Sequence, residues 1–405
     1  MTVMVAIRGF RAHPTNVIVP AVVAPAVSST QRVLGRLQDA ARAGCDLVTL
    51  WRTVTPVLQH ALPHAHSPCF FTVDPESIIV TSHFQEGLPE IPTEWLAREY
   101  TAPDHNAMTA VIRSRSGVGT LHDATGGRPE IARKFHEEMQ PFGCEQELIF
   151  ALRTPDGTPW GAVGLYREAG QPLFDEHDTA LAAAAGRVLA EGARFAACHG
   201  QASAPDLDDP PGLVVLSRDY AAVSATPAAA GWLAELGGDM GRLPAVVVAA
   251  AGAARTGREP LARARGTSGR WVDVHAAPMQ PAGRVAVVLQ DANPLRLAEL
   301  LMAAYGLTRR ERDVVREVIA GRSTNQIARS LGITPGTVQQ HTSRILARTG
   351  TGSRGELVSL VFRSRYLARV RDNERRTEQG LPVRDGPSPL APIPGPRPAE
   401  QTAVP

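Results

Sequence analysis

The chain has 405 residues, which is too long for one ordinary hydrophobic core and predicts two or three domains. Its hydrophobic content of 43% is typical of globular proteins and excludes a wholly disordered or fibrous chain. The net charge is only +2, but twelve arginines and four acidic residues between Tyr305 and Val370 give that segment +8. Such a segment predicts a polyanion partner, or else a solvated arginine surface.

Residues 1–30 are predicted to be a disordered extension, and residues 31–200 an α+β domain. The apolar run at 17–27 lies in the extension, is broken by Pro20 and Pro25, and is too short to cross a bilayer. From there, periodicity and turn residues predict helices over 31–43 and 46–61, strands over 69–73 and 77–84, a helical stretch over 93–140, a hairpin of 148–153 with 160–167, and a closing helix over 175–198. Helices flanking an antiparallel sheet make an α+β domain.

This order of elements resembles a GAF domain over about residues 32–198. The run Trp160–Leu165, followed by Phe174–Asp178, is similar to the last strand and last helix of that family. The resemblance implies a GAF-like sensor domain that binds an unknown small molecule. Trp95, Tyr100 and Asp104 faintly resemble the pattern of acyl-homoserine-lactone receptors, but their spacing favours ordinary core residues.

A second α+β unit is predicted over 212–291, after an acidic, proline-containing linker at 201–211. Its predicted elements are a strand over 212–216, a helix begun by Thr226-Pro227, a hairpin turning at 266–269 and a closing strand over 285–290. The pattern resembles a PAS-like domain, and a second GAF-like or an unclassified α+β unit remains open. A connector helix is expected at 292–305, and the tail at 371–405, with eight prolines, is expected to be disordered.

Residues 306–370 contain four helix-start signals, each followed by an apolar helical repeat. They are Thr308-x-x-Glu311, Ser323-x-x-Gln326, Thr334-Pro335-x-Thr337 and Ser353-x-x-Glu356. Three have the pattern of a full capping box, and the remaining one has a threonine N-cap followed by proline at the first helical position. They predict a small all-α domain of four helices, whose third helix has the layout of a DNA-reading helix.

The same segment is similar to the LuxR-type helix-turn-helix signature. The matching residues are Leu307–Glu311, Ala320–Ala328, Leu331–Thr334 and Thr337–His341, followed by Ile345, Arg348, Arg354, Glu356 and Leu357. The resemblance implies a bacterial transcription regulator that binds double-stranded DNA as a homodimer, with RNA polymerase as a further partner. The whole chain is then multidomain, with two α+β sensor domains followed by an all-α DNA-binding domain.

The candidate DNA-binding residues combine outward positions on the third helix with nearby arginines and helix starts. They are Arg322, Ser323, Arg329, Thr334, Thr337, Gln339, Gln340, His341, Arg344 and Arg348. Glutamine can pair with adenine and arginine with guanine or phosphate, and the free N–H groups at Thr334–Thr337 suit a phosphate. Gln339 departs from the family, which usually has lysine there, and His341 could equally be a core histidine. The resemblance places the dimer face on helix four, at Leu357, Leu360 and Val361.

Enzymatic signals are sparse. A P-loop motif is absent, and Lys134 is the sole lysine. The cluster His60, His64, His66 and Cys69 has metal-ligand chemistry, but Pro63 and Pro68 break any helix that would align it. We therefore predict no catalytic residue, no metal and no cofactor. The alternatives are a GAF-fold redox or hydrolytic enzyme using Cys69 or Cys144, and a sensor module that binds another protein.

The sequence favours a cytoplasmic protein. Its four cysteines (Cys45, Cys69, Cys144 and Cys198) form no C-x-x-C pair and are expected to be reduced, mostly buried thiols. A signal peptide within residues 1–30 is the alternative to a disordered extension, but a DNA-binding domain has no use outside the cell.

Overall fold

The computed structural model describes residues 29–87, 92–198, 210–258, 260–280, 283–292, 302, 305–362 and 377. The extension at 1–28 and most of the linker, the connector and the tail lie outside these residues. None of the described helices is long and apolar enough to cross a membrane. The described residues form two antiparallel sheet units and a helical bundle.

The first unit is a five-stranded antiparallel sheet with helices on both faces. Its helices are α1 (Ser29–Arg42), α2 (Leu47–Ala61), α3 (Thr93–Thr101), α4 (Met108–Arg113), α5 (Leu121–Ala124) and α6 (Glu176–Cys198). Its strands are β1 (Ala65–Val73), β2 (Val80–Phe84), β3 (Val118–Thr120), β4 (Cys144–Arg153) and β5 (Pro159–Glu168), in the order β2-β1-β5-β4-β3. The predicted helical stretch over 93–140 was wrong at β3, a strand of three residues that is too short to show a period.

The helices α1, α2 and α6 cover one face of this sheet and bury a large apolar core. Trp51 of α2 stacks on Phe70 of β1 with ring centroids 4.5 Å apart, and both are about 1% exposed. The close approach of α6 to α1 depends on Gly192, where a Cβ atom would lie 2.9 Å from the Cα of Ala41. This face is therefore closed, and the other face carries α3, α4 and a cavity.

The second unit repeats the strand order of the first. Its elements are β6 (Gly212–Leu216), β7 (Ala222–Ala225), α7 (Pro227–Glu235), α8 (Ala245–Ala254), β8 (Leu261–Arg265), β9 (Trp271–Met279) and β10 (Arg284–Asp291). They pair antiparallel in the order β7-β6-β10-β9-β8. Relabelled from its own first strand, this is the order of the first sheet.

The helix α8 was not predicted, and its environment explains why. Its sequence Ala245–Ala254 has no polar face, because it is buried between β9 of its own sheet and α3 and β2 of the first unit. At Gly252 a Cβ atom would lie 2.7 Å from the backbone oxygen of Ala97 in α3. The two units consequently share one hydrophobic core.

A buried ion pair also joins the two units. The Arg263 guanidinium on β8 donates to Asp74, with Nε 2.8 Å from Oδ2, and Asp74 also accepts from the Arg263 backbone N–H at 3.0 Å. Their side chains are 3% and 0% exposed. The second carboxylate partner, Glu76, is exposed. Removal of either buried partner would leave an uncompensated charge inside the protein.

The C-terminal bundle contains the four predicted helices. They are α9 (Arg309–Ile319), α10 (Thr324–Leu331), α11 (Pro335–Thr349) and α12 (Arg354–Phe362). Full capping boxes start α9 and α10, which confirms two of the three predicted. The box at α12 is incomplete: the Ser353 hydroxyl accepts from the Glu356 N–H, but the Glu356 carboxylate accepts from Gly352 rather than Ser353. The bundle surrounds a core that includes Val314, Ile327, Val338 and Ile345.

Candidate functional site

The turn between α10 and α11 fixes the direction of α11. Gly332 ends α10 with a left-handed φ of 64°, which favours glycine. Two residues later Thr334 starts α11, and its hydroxyl accepts from the Thr337 N–H at 3.1 Å, with Pro335 at the first helical position. These local features lock the two helices into a helix-turn-helix arrangement.

The helix α11 has one buried face and one solvent face. Val338 and Ile345 are fully buried, while the predicted outward residues Gln339, Gln340 and Arg344 are exposed. Thr337 is half-buried, and its hydroxyl lies 2.8 Å from that of Thr334. The exposed side chains offer amide and guanidinium groups of the kind that read base edges in a major groove.

The other candidate arginines differ in their environments. Arg329 on α10 is exposed, whereas Arg322 pairs with Glu317 at 2.6 Å and donates to Ser330. Arg348 pairs at 3.0 Å with Glu311, the buried carboxylate of the α9 capping box. Arg322 and Arg348 thus have intramolecular roles in holding the bundle together.

Two further candidates sit at the edge of this surface. Ser323 is the exposed N-cap of α10 and accepts from the Gln326 N–H. His341 is half-buried, and its Nδ1 is buried without a hydrogen-bond partner among the described residues. His341 is therefore neither fully exposed, as expected of a DNA contact, nor fully buried, as expected of a core histidine.

One predicted dimer residue is corrected by the structure. Leu357 is 1% exposed and belongs to the core of the bundle, because α12 packs this side chain against α9 and α11. It cannot contact a second chain. The side chains of Leu360 and Val361 lie outside the described residues.

This geometry defines a helix-turn-helix DNA-binding domain, and residues 306–361 match the family described as bacterial regulatory proteins, luxR family. The C-terminal domain of the chain belongs to that family. An 86-residue stretch is 40% identical to an HTH-type transcriptional regulator in the exeN 3′ region of Aeromonas salmonicida, covering 20% of this chain and 44% of that protein. Another, of 57 residues, is 40% identical to the transcriptional regulatory protein TdiR of Thauera aromatica, covering 14% and 25%. The chain spans less than half the length of these relatives.

Solved structures show only low similarity. The phage VqmA–DPO complex has a TM-score of 0.22 and 17% identity, over 38% of this chain and 81% of that one. The Vibrio cholerae VqmA–ligand–DNA complex has a TM-score of 0.21 and 19% identity, over 38% and 84%. The bacteriophytochrome RpBphP3 of R. palustris has a TM-score of 0.26 and 14% identity, over 64% and 62%.

A cavity of about 130 Å³ lies on the open face of the first sheet. Its walls come from β1, β4, β5, α3 and a π-helical turn at Phe135–Met139, and they include Trp95 and Asp104. π-helical turns are rare and are frequent at functional sites. Trp95 and Asp104, which the sequence spacing assigns to ordinary core positions, are half-buried and line this cavity.

A buried polar network forms one wall of the cavity. The Lys134 Nζ lies 2.9 Å from the Glu147 carboxylate and 3.2 Å from the Asn106 carbonyl oxygen, and the Asn106 amide also donates to Glu147. Burial opposes the charge on Lys134, but the carboxylates of Glu147 and Glu99 outweigh it and raise the pKa of Lys134. The network was missed from sequence. The sequence signal for this network is Lys134 itself, because every other residue among the lysines and arginines is an arginine. A compact ammonium group fits where a guanidinium does not.

The two thiols proposed as nucleophiles are buried beside this cavity. Burial raises the pKa of Cys69 to about 12 and that of Cys144 to about 11. Both are free cysteines, as predicted, and are protonated at neutral pH. A protonated, buried thiol is a poor nucleophile, so the geometry does not favour thiol chemistry.

The histidine cluster is drawn into local hydrogen bonds. His64 is buried with Nδ1 2.5 Å from the Leu62 carbonyl oxygen, and His66 contacts the Phe142 carbonyl oxygen at 3.1 Å. Within the described ranges, no group of three or more histidine, cysteine or acidic side chains is placed to hold a metal ion.

Proposed function

We propose that this chain is a sequence-specific DNA-binding transcription regulator whose two sheet units sense a ligand and modulate the C-terminal helix-turn-helix domain. The observation that carries the proposal is the division of α11, with Val338 and Ile345 buried and Gln339, Gln340 and Arg344 exposed, inside a luxR-family domain. The named relatives are transcriptional regulators, which supports the same activity.

The DNA-contact roles follow from exposure and chemistry. Gln339, Gln340 and Arg344 read base edges or phosphates, and the N-terminus of α11 at Thr334 and Thr337 receives a phosphate. Ser323 and Arg329 extend this surface along α10, and His341 lies at its edge. Arg322 and Arg348 act mainly by positioning, because each already pairs with a carboxylate.

The assembly that we propose is a cytoplasmic homodimer that presents two helix-turn-helix domains to two half-sites about one helical turn apart. Leu360 and Val361 on α12 are the candidate dimer contacts. The first unit, at 31–200, acts as a GAF-like sensor, and the second, at 212–291, as a PAS-like unit that shares its core. The connector at 292–305 links both to the DNA-binding domain, and RNA polymerase is the proposed downstream partner.

Selection of bound fragments from genomic DNA tests this function. Wild-type protein should enrich a defined sequence, and Arg344→Ala should lose that enrichment, at a cost of about 1–3 kcal/mol in binding to the selected site. Arg309→Ala is the matched control, since it removes one exposed positive charge of the same domain away from α11. Equal enrichment by wild type and Arg344→Ala would contradict the proposed role of α11.

A further inference from the structure

The cavity of the first unit has the size of a small organic molecule. At about 130 Å³ it approaches the volume of engineered cavities that accept benzene. Unlike those, it combines aromatic rings with ionisable side chains. Its contents are therefore expected to be polar at one end and apolar at the other.

Most charged side chains on the cavity wall already have partners inside the protein, although the Arg133 Nη1 is buried without a hydrogen-bond partner among the described residues. Lys134 and Glu147 bind each other, and Glu99 accepts from the Thr109 N–H at 2.7 Å. Asp104 accepts from the Lys134 N–H at 2.7 Å. The arginines at 98 and 133 both contact Glu137, at the rim. In the part of the chain that the structure describes, Glu138 alone among these wall residues has neither a hydrogen bond nor an ion pair.

Glu138 lies on the π-helical turn, and its side chain lines the cavity. Burial raises the pKa of Glu138 to about 7, with Lys134 opposing and Glu147 adding to the rise. The charged groups around it are Lys134 and Arg133 on its own segment, Arg98 on α3 and Glu147 on β4. The Glu138 carboxyl is half-buried and has no hydrogen-bond or ion-pair partner among the described residues, so it is available to a donor or a cation that enters the cavity.

The cavity wall is also aromatic. Trp95 of α3 and Phe142 lie edge to face with centroids 6.4 Å apart, and Tyr166 of β5 completes the wall. Aromatic faces attract a cation, most strongly when it is desolvated. A carboxylate and aromatic rings in the wall of one cavity are a combination suited to organic ammonium groups.

We propose that this cavity binds a compact organic amine, about the size of one six-membered ring, whose ammonium group pairs with Glu138 while its apolar part packs against Trp95 and Phe142. This inference rests on the proposed sensing function and specifies its ligand class. An anionic ligand would meet the unpaired Glu138 carboxyl, while the nearby cations Lys134, Arg98 and Arg133 are already in ion pairs with Glu147 and Glu137. A neutral ligand of the same shape would leave the Glu138 carboxyl without a charged partner.

Three probes of nearly equal shape separate these cases: benzylamine, benzyl alcohol and benzoate, titrated calorimetrically into the full chain. Benzylamine should bind about tenfold or more tightly than benzyl alcohol, and benzoate more weakly than both. Glu138→Gln should remove that preference and leave benzyl alcohol binding unchanged. Equal binding of the three probes, binding of none, or an unchanged preference in Glu138→Gln would overturn the proposal.

Proton release gives a second readout that a merely structural role of Glu138 would not move. At about pH 6 Glu138 is mostly protonated, so pairing with an ammonium ion should release close to one proton, measured from the dependence of the binding heat on buffer ionisation. Glu138→Gln should release none. The same release by both proteins would contradict the assignment.

The inference can fail independently of the DNA-binding proposal. Glu138 lies in the first unit, so Glu138→Gln without ligand should bind selected DNA as wild type does. Normal DNA selection with no amine preference would overturn only the ligand class. If the wild-type protein selected no DNA sequence, the proposed function would be overturned, whatever the calorimetry gives.

Discussion

The two sheet units share one strand order but use their open faces in opposite ways. In the first unit the face behind α3 retains a cavity walled by charged and aromatic side chains. In the second unit the face behind β9 is filled by α8, whose residues from Val246 to Ala254 are all buried. Topology alone therefore does not define a binding site, because the side chains between sheet and helix decide whether the space is filled.

The same helix also makes the second unit a partner of the first. The small residues Gly252 and Ala97 allow α8 to approach α3 closely, and α3 carries Trp95 into the cavity wall on another side. A ligand that moves α3 would act directly on α8. Under the proposed function, the first unit would therefore bind the ligand and the second would respond to it through this contact.

The largest effect is expected from the buried pair that joins the units. Arg263→Leu leaves the Asp74 carboxylate buried without its partner, which should lower the free energy of unfolding by about 3–5 kcal/mol. Glu76→Gln is the control, because that carboxylate is 77% exposed and its loss should change stability by less than about 1 kcal/mol. Chemical denaturation measures both. Equal effects would mean that the bridge does not hold the units together.

The next largest effect on stability is expected from the Glu138 carboxyl in the first unit, whose cavity is polar, whereas the matching face of the second unit is filled by the apolar helix α8. The pKa of Glu138 lies near 7 in the folded chain and at 4.5 when unperturbed, so the native state retains a proton that the unfolded state loses between these values. Stability should fall as pH rises through this window, and the fall should be complete above about pH 7. Glu138→Gln does not titrate, so its advantage over wild type should grow from near zero at about pH 4 to on the order of 2–3 kcal/mol at about pH 8.

The control for that titration is Glu145→Gln, at an exposed position of β4. Thermal unfolding of the three proteins across the same pH range makes the comparison. An advantage of Glu138→Gln that does not change with pH would contradict a buried, ionising carboxyl at this position.

The smallest effect tests the contact between α8 and α3. Gly252→Ala would push a Cβ atom against the Ala97 backbone and should destabilise the chain by about 1–3 kcal/mol, despite the better helix propensity of alanine. Gly231→Ala in α7 is matched in residue type and secondary structure but has nothing within 4 Å of the new Cβ. It should stabilise the chain by up to about 1 kcal/mol. If both substitutions changed the free energy of unfolding in the same direction, a tight contact between α8 and α3 would be contradicted.

The sequence predicted the C-terminal bundle well because its signals are local. The caps at Thr308, Ser323 and Thr334, the glycine at 332 and the apolar period of α11 all act within a few residues. The hairpin of β4 and β5 was predicted for the same reason, through its turn at Gly157. In the bundle, the capping box at α12 is incomplete and the placement of Leu357 was wrong, because the choice between a core and a dimer face depends on helix packing.

The sheet units were harder because their decisive interactions are distant in sequence. The Asp74–Arg263 pair joins residues 189 positions apart, and no periodic signal indicates it. The helix α8 carries apolar or small residues on all of its faces, because other elements surround it. It therefore lacks the amphipathic pattern from which a helix is predicted. The cavity was missed because its wall assembles Trp95, Glu138 and Tyr166 from three separate elements.

The salt dependence of DNA affinity tests the central claim most directly. The full chain and Arg344→Ala would be titrated against the selected DNA fragment and a scrambled one between about 50 and 200 mM salt. The account predicts selective binding by the wild type with a log–log slope of about −5 or steeper, as for a dimer that neutralises several phosphates, and loss of selectivity in Arg344→Ala. Equal affinity for both fragments at every salt concentration would contradict the assignment of α11 as a DNA-reading helix.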